Sequence, residues 1–360
     1  MMHEDYAVVC VTQDENRFIW EVHALLESIK MHNPEWIPHT YIAILKLQPQ
    51  FKAKWRILPD IYPGVKLRFY EVEIDSYLTN LMKFYHTVFR PYLLSFLFQE
   101  ISADKIIYLD TDVILTKHFP LEEFSKDGVC YMSSTTREND YMSHEYFLSK
   151  RKDVLPDKLE EYDKEDVLDN IARIGGITKQ MIIDNKENTG GVQYVIDGKG
   201  IDSEFWKKVF VSSFIIRSYL MNINQRYFKG LSPQDKENNG IQSWCADLWA
   251  TLYTLWHYGK KTSCPTSMDF AWATDYIEKL DRVYFFHNAG VTAEEYMIIR
   301  DGKKIIQAPA FYKGRFQKVT PEKDIAYLDM ILQHPVSQKY CTWYYVDFLK
   351  RMFNKYQISY

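Results

Sequence analysis

The feature that most constrains this chain is a short apolar run that ends in two acidic residues. Residues 105–109 read Lys-Ile-Ile-Tyr-Leu, and Asp110, Thr111 and Asp112 follow directly. A compact apolar run of this length is typical of a buried strand. Open parallel sheets bind ligands beyond the carboxyl ends of their strands. The sequence therefore places two carboxylates, one residue apart, where a ligand is expected.

Two carboxylates at this spacing point to a cation site. They repel each other, and a bound cation relieves that repulsion. Oxygen ligands suit Mg²⁺ or Mn²⁺, and both ions also bind phosphate oxygens. We therefore predict that Asp110 and Asp112 hold a divalent cation and, through it, a diphosphate. An exposed turn after a strand is the alternative that the same residues allow.

Phosphatases of the HAD type also place an acidic pair after an apolar strand. They normally carry Thr or Val two residues past the second acid, where this chain has Ile114. Their strand usually opens the chain, whereas more than a hundred residues precede this one. Both differences argue against that interpretation.

Apolar periodicity outlines the remaining elements. Strands are predicted at 6–12, 39–45, 65–72, 105–109, 190–196 and 282–286, and helices at 18–29, 81–99, 203–219, 241–257 and 321–356, the last of them broken near His334 and Pro335. This alternation predicts a Rossmann-like α/β fold with a mostly parallel central sheet, helices on both of its faces and a C-terminal helical segment.

The same reading predicts the domain organisation. We expect one large domain at 1–318 and a helical appendage at 319–360. Within the domain, 137–175 is charged and polar, with few apolar positions at regular spacing. We interpret it as a partly helical insertion or lid, and a surface excursion without a role is the alternative.

Composition excludes some classes of function. The formal net charge of −4 lacks the basic excess of a nucleic-acid-binding protein. The five cysteines are scattered without CxxC spacing, which argues against a zinc site or a disulfide framework. No apolar stretch reaches membrane-spanning length, and the first residues lack the basic flank of a signal peptide. We therefore expect a cytoplasmic protein without a transmembrane segment.

Five blocks of the sequence, in order, resemble glycosyltransferase family 8 and its GT-A relatives. The blocks are KFYHTVFRPYLL, KIIYLDTDVIL, NTGGVQYVI, WCADLWA and FFHNAG, and the likeness extends from Tyr6 to about Gly314. The resemblance implies a GT-A fold for 1–318. It implies transfer of a sugar from a UDP-linked donor to a glycan or other hydroxyl acceptor, with Mn²⁺ (or Mg²⁺) and with retention of configuration.

The resemblance also implies the metal ligands. Asp110 and Asp112 would be joined by His287, which follows the predicted strand at 282–286. In a parallel sheet, the end of that strand would reach the edge that bears the two aspartates. A neutral imidazole is an acceptable ligand for Mn²⁺. A histidine that is merely hydrogen-bonded after a strand is the alternative.

Three further residues are predicted to be catalytic: Asp247, Gln242 and Asn188. Asp247 lies in an apolar, Trp-rich helical stretch, where burying a carboxylate is costly without a partner. In an inverting enzyme it could serve as the base. An acid that merely favours a helix N-terminus is the alternative.

The remaining implied residues bind the donor. They are Thr12, Asp14, Lys83, Arg90, Thr111, Gly190, Gly191, Gly290 and Lys313. Asp14 ends the first predicted strand, where a carboxylate could accept from ribose hydroxyls or a base N–H. The late family block usually contains a Lys-Pro-Trp, which this chain lacks, and Lys313 is the substitute. For Lys313 the alternative is a solvated lysine in a loop. For Gly190 and Gly191 the alternative is a turn.

Two other functions stay open from the sequence. A sugar-nucleotide pyrophosphorylase should carry a glycine-rich loop after its first strand, but this chain reads VTQDENRF there. A catalytically inactive GT-A protein that binds sugars would keep the fold, and the intact acidic pair argues against it. Metal-dependent hydrolysis of nucleotide sugars distinguishes these functions.

Overall fold

The fold is a mixed α/β architecture in which a mostly parallel central sheet is flanked by helices, as the sequence predicts. The computed structural model describes residues 2–46, 54–71, 86–138, 142–230, 240–288, 297–300, 303–306, 316–334 and 337–360. Three predicted donor-binding residues, Lys83, Gly290 and Lys313, lie outside the described residues.

Strands and helices alternate from Met2 to Tyr108. The strands are β1 (Met2–Gln13), β2 (Thr40–Lys46), β3 (Lys66–Glu71), β4 (Ile101–Tyr108), β5 (Val113–Leu115), β6 (Val129–Ser134), β7 (Gly190–Asp197), β8 (Lys261–Ser263), β9 (Phe270–Trp272), β10 (Phe285–His287), β11 (Met297–Arg300) and β12 (Lys303–Ile306). The α-helices are α1 (Asn16–His32), α2 (Ile57–Ile61), α3 (Phe89–Glu100), α4 (Thr135–Glu138), α5 (His144–Lys150), α6 (Leu159–Glu165), α7 (Val167–Gly175), α8 (Lys179–Asp184), α9 (Ser203–Tyr227), α10 (Ala246–His257), α11 (Pro321–Leu332) and α12 (Cys341–Tyr356).

The central sheet has seven strands in the order β3-β2-β1-β4-β7-β6-β8. β1 runs parallel to β2, and β6 runs parallel to β8. β7 is antiparallel to both of its neighbours, β4 and β6. A second sheet has the order β5-β10-β9, and β11 and β12 form a two-stranded sheet.

The chain divides into two compact units. The first contains Met1–Ala7, Tyr70–Tyr108 and Glu122–Pro265, and the second contains Val8–Phe69, Leu109–Leu121 and Thr266–Tyr360. In the first unit, α9 packs against α3 and α10. In the second unit, α11 packs against α12, and α1 packs against β5. The predicted domain limits, including the insertion at 137–175, stay predictions.

Burial explains why the central strands read as continuous apolar runs. Every residue of β7 is buried, and β2 is buried from Thr40 to Leu45. Strands that are covered on both faces have no polar side, so they lose the alternating pattern. α1 carries an apolar repeat that includes Ile19, Val22 and Leu25, and it is buried on every side from Ile19 to Ile29.

The helices predicted at 241–257 and 203–219 have different limits in the structure. The helix predicted at 241–257 begins only at Ala246. The side chain of Asn224 on α9 binds both the N–H and the carbonyl of Ile241, at 2.8 and 2.7 Å, which takes that backbone out of a helix. The helix predicted at 203–219 continues instead to Tyr227.

The structure corrects both the limits and the sheet of the strand predicted at 282–286. Only Phe285–His287 is extended, and this strand belongs to the three-stranded sheet rather than to the central sheet. Arg282 instead caps the 3₁₀ helix Ile277–Asp281 and donates its backbone N–H to Lys279 at 3.0 Å. Strands as short as β5, β8 and β9 carry too few residues for a periodic signal, which is why the sequence did not indicate them.

All five cysteines lie in the described part of the chain, where they are buried and form no disulfide. Among the described residues, no helix has both the length and the apolar character that crossing a membrane requires.

Candidate metal centre

The two aspartates lie in a tight turn between β4 and β5, in the second unit. Leu109 donates its N–H to the carbonyl of Val9 at 3.1 Å, which ties the start of the turn to β1. The N–H of Val113 reaches back to the carbonyl of Asp110 at 3.3 Å. The turn is short, so Asp110 and Asp112 are presented together just past the end of a buried strand.

His287 reaches this turn by antiparallel pairing. It lies opposite Val113 in the β5–β10 register, and Asn288 donates its N–H to the carbonyl of Asp112 at 2.9 Å. The predicted route through a parallel sheet is therefore wrong, although the histidine lies beside the acidic turn. Its Nε2 is 3.3 Å from Oδ1 of Asp112.

The donor set suits a first-row divalent cation. One ligand atom from each of Asp110, Asp112 and His287 lies within 4.8 Å of the others. Two carboxylates and a neutral imidazole would give the group a charge of −2, which balances a divalent ion. The side chains of His287 and Asp112 are only 11% and 13% exposed, so water screens them little.

Aromatic packing holds the imidazole of His287. Trp272 stacks on it at 5.2 Å between ring centres and 23° between planes, and Phe270 meets it edge-on at 5.0 Å. Its Nδ1 is buried and makes no hydrogen bond to any described residue. Metal-bound histidines usually donate that second N–H to a partner. Here ring packing, rather than a hydrogen bond, sets the ring orientation.

A buried carboxylate that sequence reasoning missed lies behind the turn. Glu21 on α1 is 1% exposed and accepts a hydrogen bond from Oγ1 of Thr111 at 2.9 Å. Nε of Arg17 donates to the other oxygen of Glu21 at 2.9 Å. The available signal was an acid at a buried position of an amphipathic helix, four residues after an arginine.

These charges act on their buried neighbours. Burial acts to lower the pKa of Arg17, but Glu21 and, more weakly, Asp112 and Glu15 raise it overall. Burial, then the charges of Glu21 and Asp112, raise the pKa of Tyr345 well above its ordinary value. The centre is therefore a region of concentrated negative charge, and the guanidinium of Arg17 lies within its reach.

Thr12 and Asp14, predicted to bind the donor, are also in the second unit. They are buried, at 4% and 5% exposure. Oδ1 of Asp14 accepts from Nε1 of Trp55 at 2.8 Å, whereas Oδ2 is buried without a hydrogen bond to a described residue. Burial raises the pKa of Asp14, against the opposing effects of Trp55 and Lys46. A buried oxygen that lacks a donor is costly, and a ligand hydroxyl or N–H would satisfy it.

Asp247 and Arg90, which the sequence singled out separately, form a buried ion pair in the first unit. Nη1 of Arg90 lies 3.4 Å from Oδ2 of Asp247, with the two side chains 11% and 1% exposed. Nε of Arg90 donates to the hydroxyl of Tyr108 at 3.1 Å. Arg90 is therefore one partner of the buried carboxylate of Asp247.

Gln242 and Asn188 are held by local contacts in the first unit. Gln242 donates its backbone N–H to the hydroxyl of Tyr146 at 2.8 Å, and its side chain accepts from Trp244 at 3.0 Å. Asn188 ends the 3₁₀ helix Lys186–Asn188, where its carbonyl accepts from Thr262 at 3.0 Å. Their catalytic roles stay predictions.

Packing requires a glycine at position 190, whatever ligand it meets, and leaves little room for a side chain at Gly191. A Cβ at Gly190 would lie 2.5 Å from the carbonyl oxygen of Ser133 and would overlap Met132. A Cβ at Gly191 would lie 3.2 Å from Leu248. The pairing of β6 with β7 changes register just after these glycines, and Val192 there has a φ of 75°. A β-branched residue in this region is strained, and such strain often accompanies functional sites.

No protein-family model matches this chain, and no curated protein matches it. Among solved structures, the apo structure of the WbbM bifunctional glycosyltransferase is similar, at 12% sequence identity and a TM-score of 0.41. The alignment covers 92% of this chain and 51% of the other, so this chain spans about half the length of that structure. At this TM-score the likeness carries no argument about activity, and the resemblance to glycosyltransferase family 8 stays a prediction.

Proposed function

We propose that this protein transfers a sugar from a UDP-linked nucleotide sugar to a hydroxyl of a glycan or another acceptor. The transfer would depend on Mn²⁺ (or Mg²⁺) and would retain the anomeric configuration. The observation that carries the proposal is the convergence of Asp110, Asp112 and His287 within 4.8 Å. Acidic oxygens and an imidazole at this spacing suit a cation that also binds a diphosphate.

The protein groups have separable tasks in this proposal. A bound divalent cation supplies Lewis-acid stabilisation of the charge that grows on the departing diphosphate. Asp110 and Asp112 would hold this cation from their shared turn, and the diphosphate would be bound through it. His287 contributes a neutral ligand, so the group keeps a charge that matches one divalent ion.

Asp14 is the candidate contact for the nucleoside. Its Oδ2 is buried without a hydrogen bond to a described residue, while Trp55 fixes the other oxygen at 2.8 Å. An oriented carboxylate of this kind accepts from ribose hydroxyls or from the N–H of uracil. Thr12, two residues earlier on β1, would lie beside it.

We assign Asp247, Gln242 and Asn188 to the reacting sugar. The 3.4 Å contact with Arg90 fixes the carboxylate of Asp247, which suits it to orient a sugar hydroxyl. Arg90 would then serve the donor both directly and by holding Asp247.

A thermal-shift screen tests the proposal. UDP, UDP-sugars, GDP and dTDP are added with and without Mn²⁺, and a ligand at 100 times its dissociation constant should stabilise the native state by about 2.7 kcal/mol. We expect stabilisation by UDP compounds only when Mn²⁺ is present. A response to GDP or dTDP alone would overturn the base assignment, and no metal-dependent response would overturn the metal site.

Asp112→Asn should abolish Mn²⁺-dependent hydrolysis of the UDP-sugar while leaving the melting temperature close to that of the wild type. One ligand charge is lost, and a weakened cation no longer holds the diphosphate. Asp324→Asn is the matched control, because Asp324 is a buried aspartate of the same unit that binds the backbone of Thr320 at 2.8 Å. Undiminished hydrolysis by Asp112→Asn at saturating Mn²⁺ would reject the proposal, and binding without any hydrolysis would favour an inactive sugar-binding protein.

A further inference from the structure

The carboxylate behind the acidic turn has no role in the function proposed above. Glu21 projects from α1, and its two oxygens have different partners. One accepts from the hydroxyl of Thr111 at 2.9 Å, and the other accepts from Nε of Arg17 at 2.9 Å. Thr111 is the middle residue of the turn, so a constraint on it acts on both neighbouring aspartates.

We infer that Glu21 is a positioning residue for the metal centre, acting through Thr111 and Arg17. This inference rests on the proposed metal site. The hydrogen bond to Thr111 fixes the backbone of the turn, which sets the spacing of Asp110 and Asp112. The bond to Arg17 keeps that guanidinium on Glu21, so that it does not neutralise Asp112 in place of a cation.

The burial of these groups supports both parts. Thr111 is 8% exposed and Glu21 is 1% exposed, so water is a poor substitute for either hydrogen bond. The side chain of Arg17 is 27% exposed, which leaves it room to turn if Glu21 loses its charge. Asp112 is among the charges that raise the pKa of Arg17, so the guanidinium lies within its electrostatic reach.

Charge balance gives the reason for such an arrangement. Glu21 and Arg17 neutralise each other, so this guanidinium does not reduce the negative charge that the two aspartates offer to a divalent ion. Without Glu21, the guanidinium of Arg17 beside Asp112 would reduce that negative charge by one unit. Groups that hold metal ligands in place typically change metal affinity by about 10- to 100-fold when they are removed.

Mn²⁺ binding to the full chain tests this inference, with Mn²⁺ alone and with Mn²⁺ plus UDP, measured from the free-ion signal in electron paramagnetic resonance. Thr111→Val replaces the hydroxyl by a methyl group of similar size. We expect its Mn²⁺ affinity to fall by about 10- to 100-fold. Thr111→Ser keeps the hydroxyl and should bind Mn²⁺ almost as the wild type does.

Ser28→Ala is the matched control for loss of stability. Ser28 lies on the same helix and accepts from the N–H of Leu115 at 3.1 Å, so it also ties α1 to β5. It has no hydrogen bond to the acidic turn among the described contacts. This variant should melt at a lower temperature while its Mn²⁺ affinity stays unchanged.

The charge effect has its own pair of variants. Glu21→Gln should weaken Mn²⁺ binding, because the released guanidinium of Arg17 then competes for Asp112. Arg17→Met added to Glu21→Gln should restore part of the affinity. If Thr111→Val does not fold, this pair tests the inference instead.

Each outcome has a definite meaning. Wild-type Mn²⁺ affinity in a folded Thr111→Val, or equal losses in Thr111→Val and Thr111→Ser, would overturn the inference and leave the proposed function standing. A wild-type protein that does not bind Mn²⁺ would overturn both. A loss in Thr111→Val with rescue in Thr111→Ser supports the inference.

Discussion

Breaking the buried ion pair between Arg90 and Asp247 should strongly destabilise the protein. The two charged groups are 3.4 Å apart, with their side chains 11% and 1% exposed. Arg90→Met removes the guanidinium but keeps much of the apolar stem. Asp247→Leu removes the carboxylate from an otherwise apolar helix. Either change leaves the opposite charge without the partner that this pair provides.

The separation gives the magnitude. Two unit charges 3.4 Å apart attract by about 5 kcal/mol at an effective dielectric constant of about 20. Desolvation of both groups cancels much of that attraction, so the net contribution of the intact pair is small. When one partner is removed, the other charge stays buried and loses its attraction. The free energy of unfolding should therefore fall by about 3–5 kcal/mol in each single variant.

Urea unfolding of the four proteins in a double-mutant cycle measures this effect. Replacing both partners by apolar residues should recover most of the lost stability, because no isolated charge remains. The two single losses sum to about 6–10 kcal/mol whereas the double variant loses far less, so the coupling energy should exceed about 4 kcal/mol. Arg151 and Asp163, at 2.6 Å but 55% and 43% exposed, form the control pair and should couple far less despite the shorter distance.

Additive losses in the cycle, or single losses below about 1 kcal/mol, would refute this reasoning about buried charge. The same four proteins separate structure from catalysis. If Asp247 contacts the reacting sugar, the double variant should be folded and inactive. A folded double variant with wild-type activity would leave Asp247 with a structural role only.

Three further outcomes are expected. His287→Ala should raise the Mn²⁺ concentration needed for activity by at least about tenfold, and an unchanged Mn²⁺ dependence would remove it from the metal site. Burial lowers the pKa of His23 to about 4, below its ordinary 6.5. The unfolded chain therefore binds the proton first, and stability should fall by about 3 kcal/mol between pH 6.5 and 4, a slope that His23→Phe should flatten in urea titrations at several pH values. Gly190→Ala should cost about 1–3 kcal/mol in the free energy of unfolding, because its Cβ has no room beside Ser133.

The sequence predicted an element correctly where all the residues that define it lie within one short segment. The apolar run before Asp110 predicted β4 and the position of the acidic turn at its end. α1 could be predicted because its apolar residues repeat at helical spacing within one continuous segment. The first and last residues of the predicted elements were less accurate. Asn224 on α9 binds the backbone of Ile241, 17 residues later in the chain, and α10 therefore begins only after it.

The amino-acid sequence alone indicated the alternating α/β order and the acidic turn, because each depends on neighbouring residues, and the resemblance to glycosyltransferase family 8 indicated the candidate histidine. Only the tertiary structure decided that His287 reaches Asp112 by antiparallel pairing with β5, and that Glu21 lies behind Thr111. The same holds for the pairing of Arg90 with Asp247. These contacts join residues that are far apart in the chain, and their energies depend on burial and on distance. No periodic pattern of side chains encodes either quantity, so the packed structure is needed to reveal them.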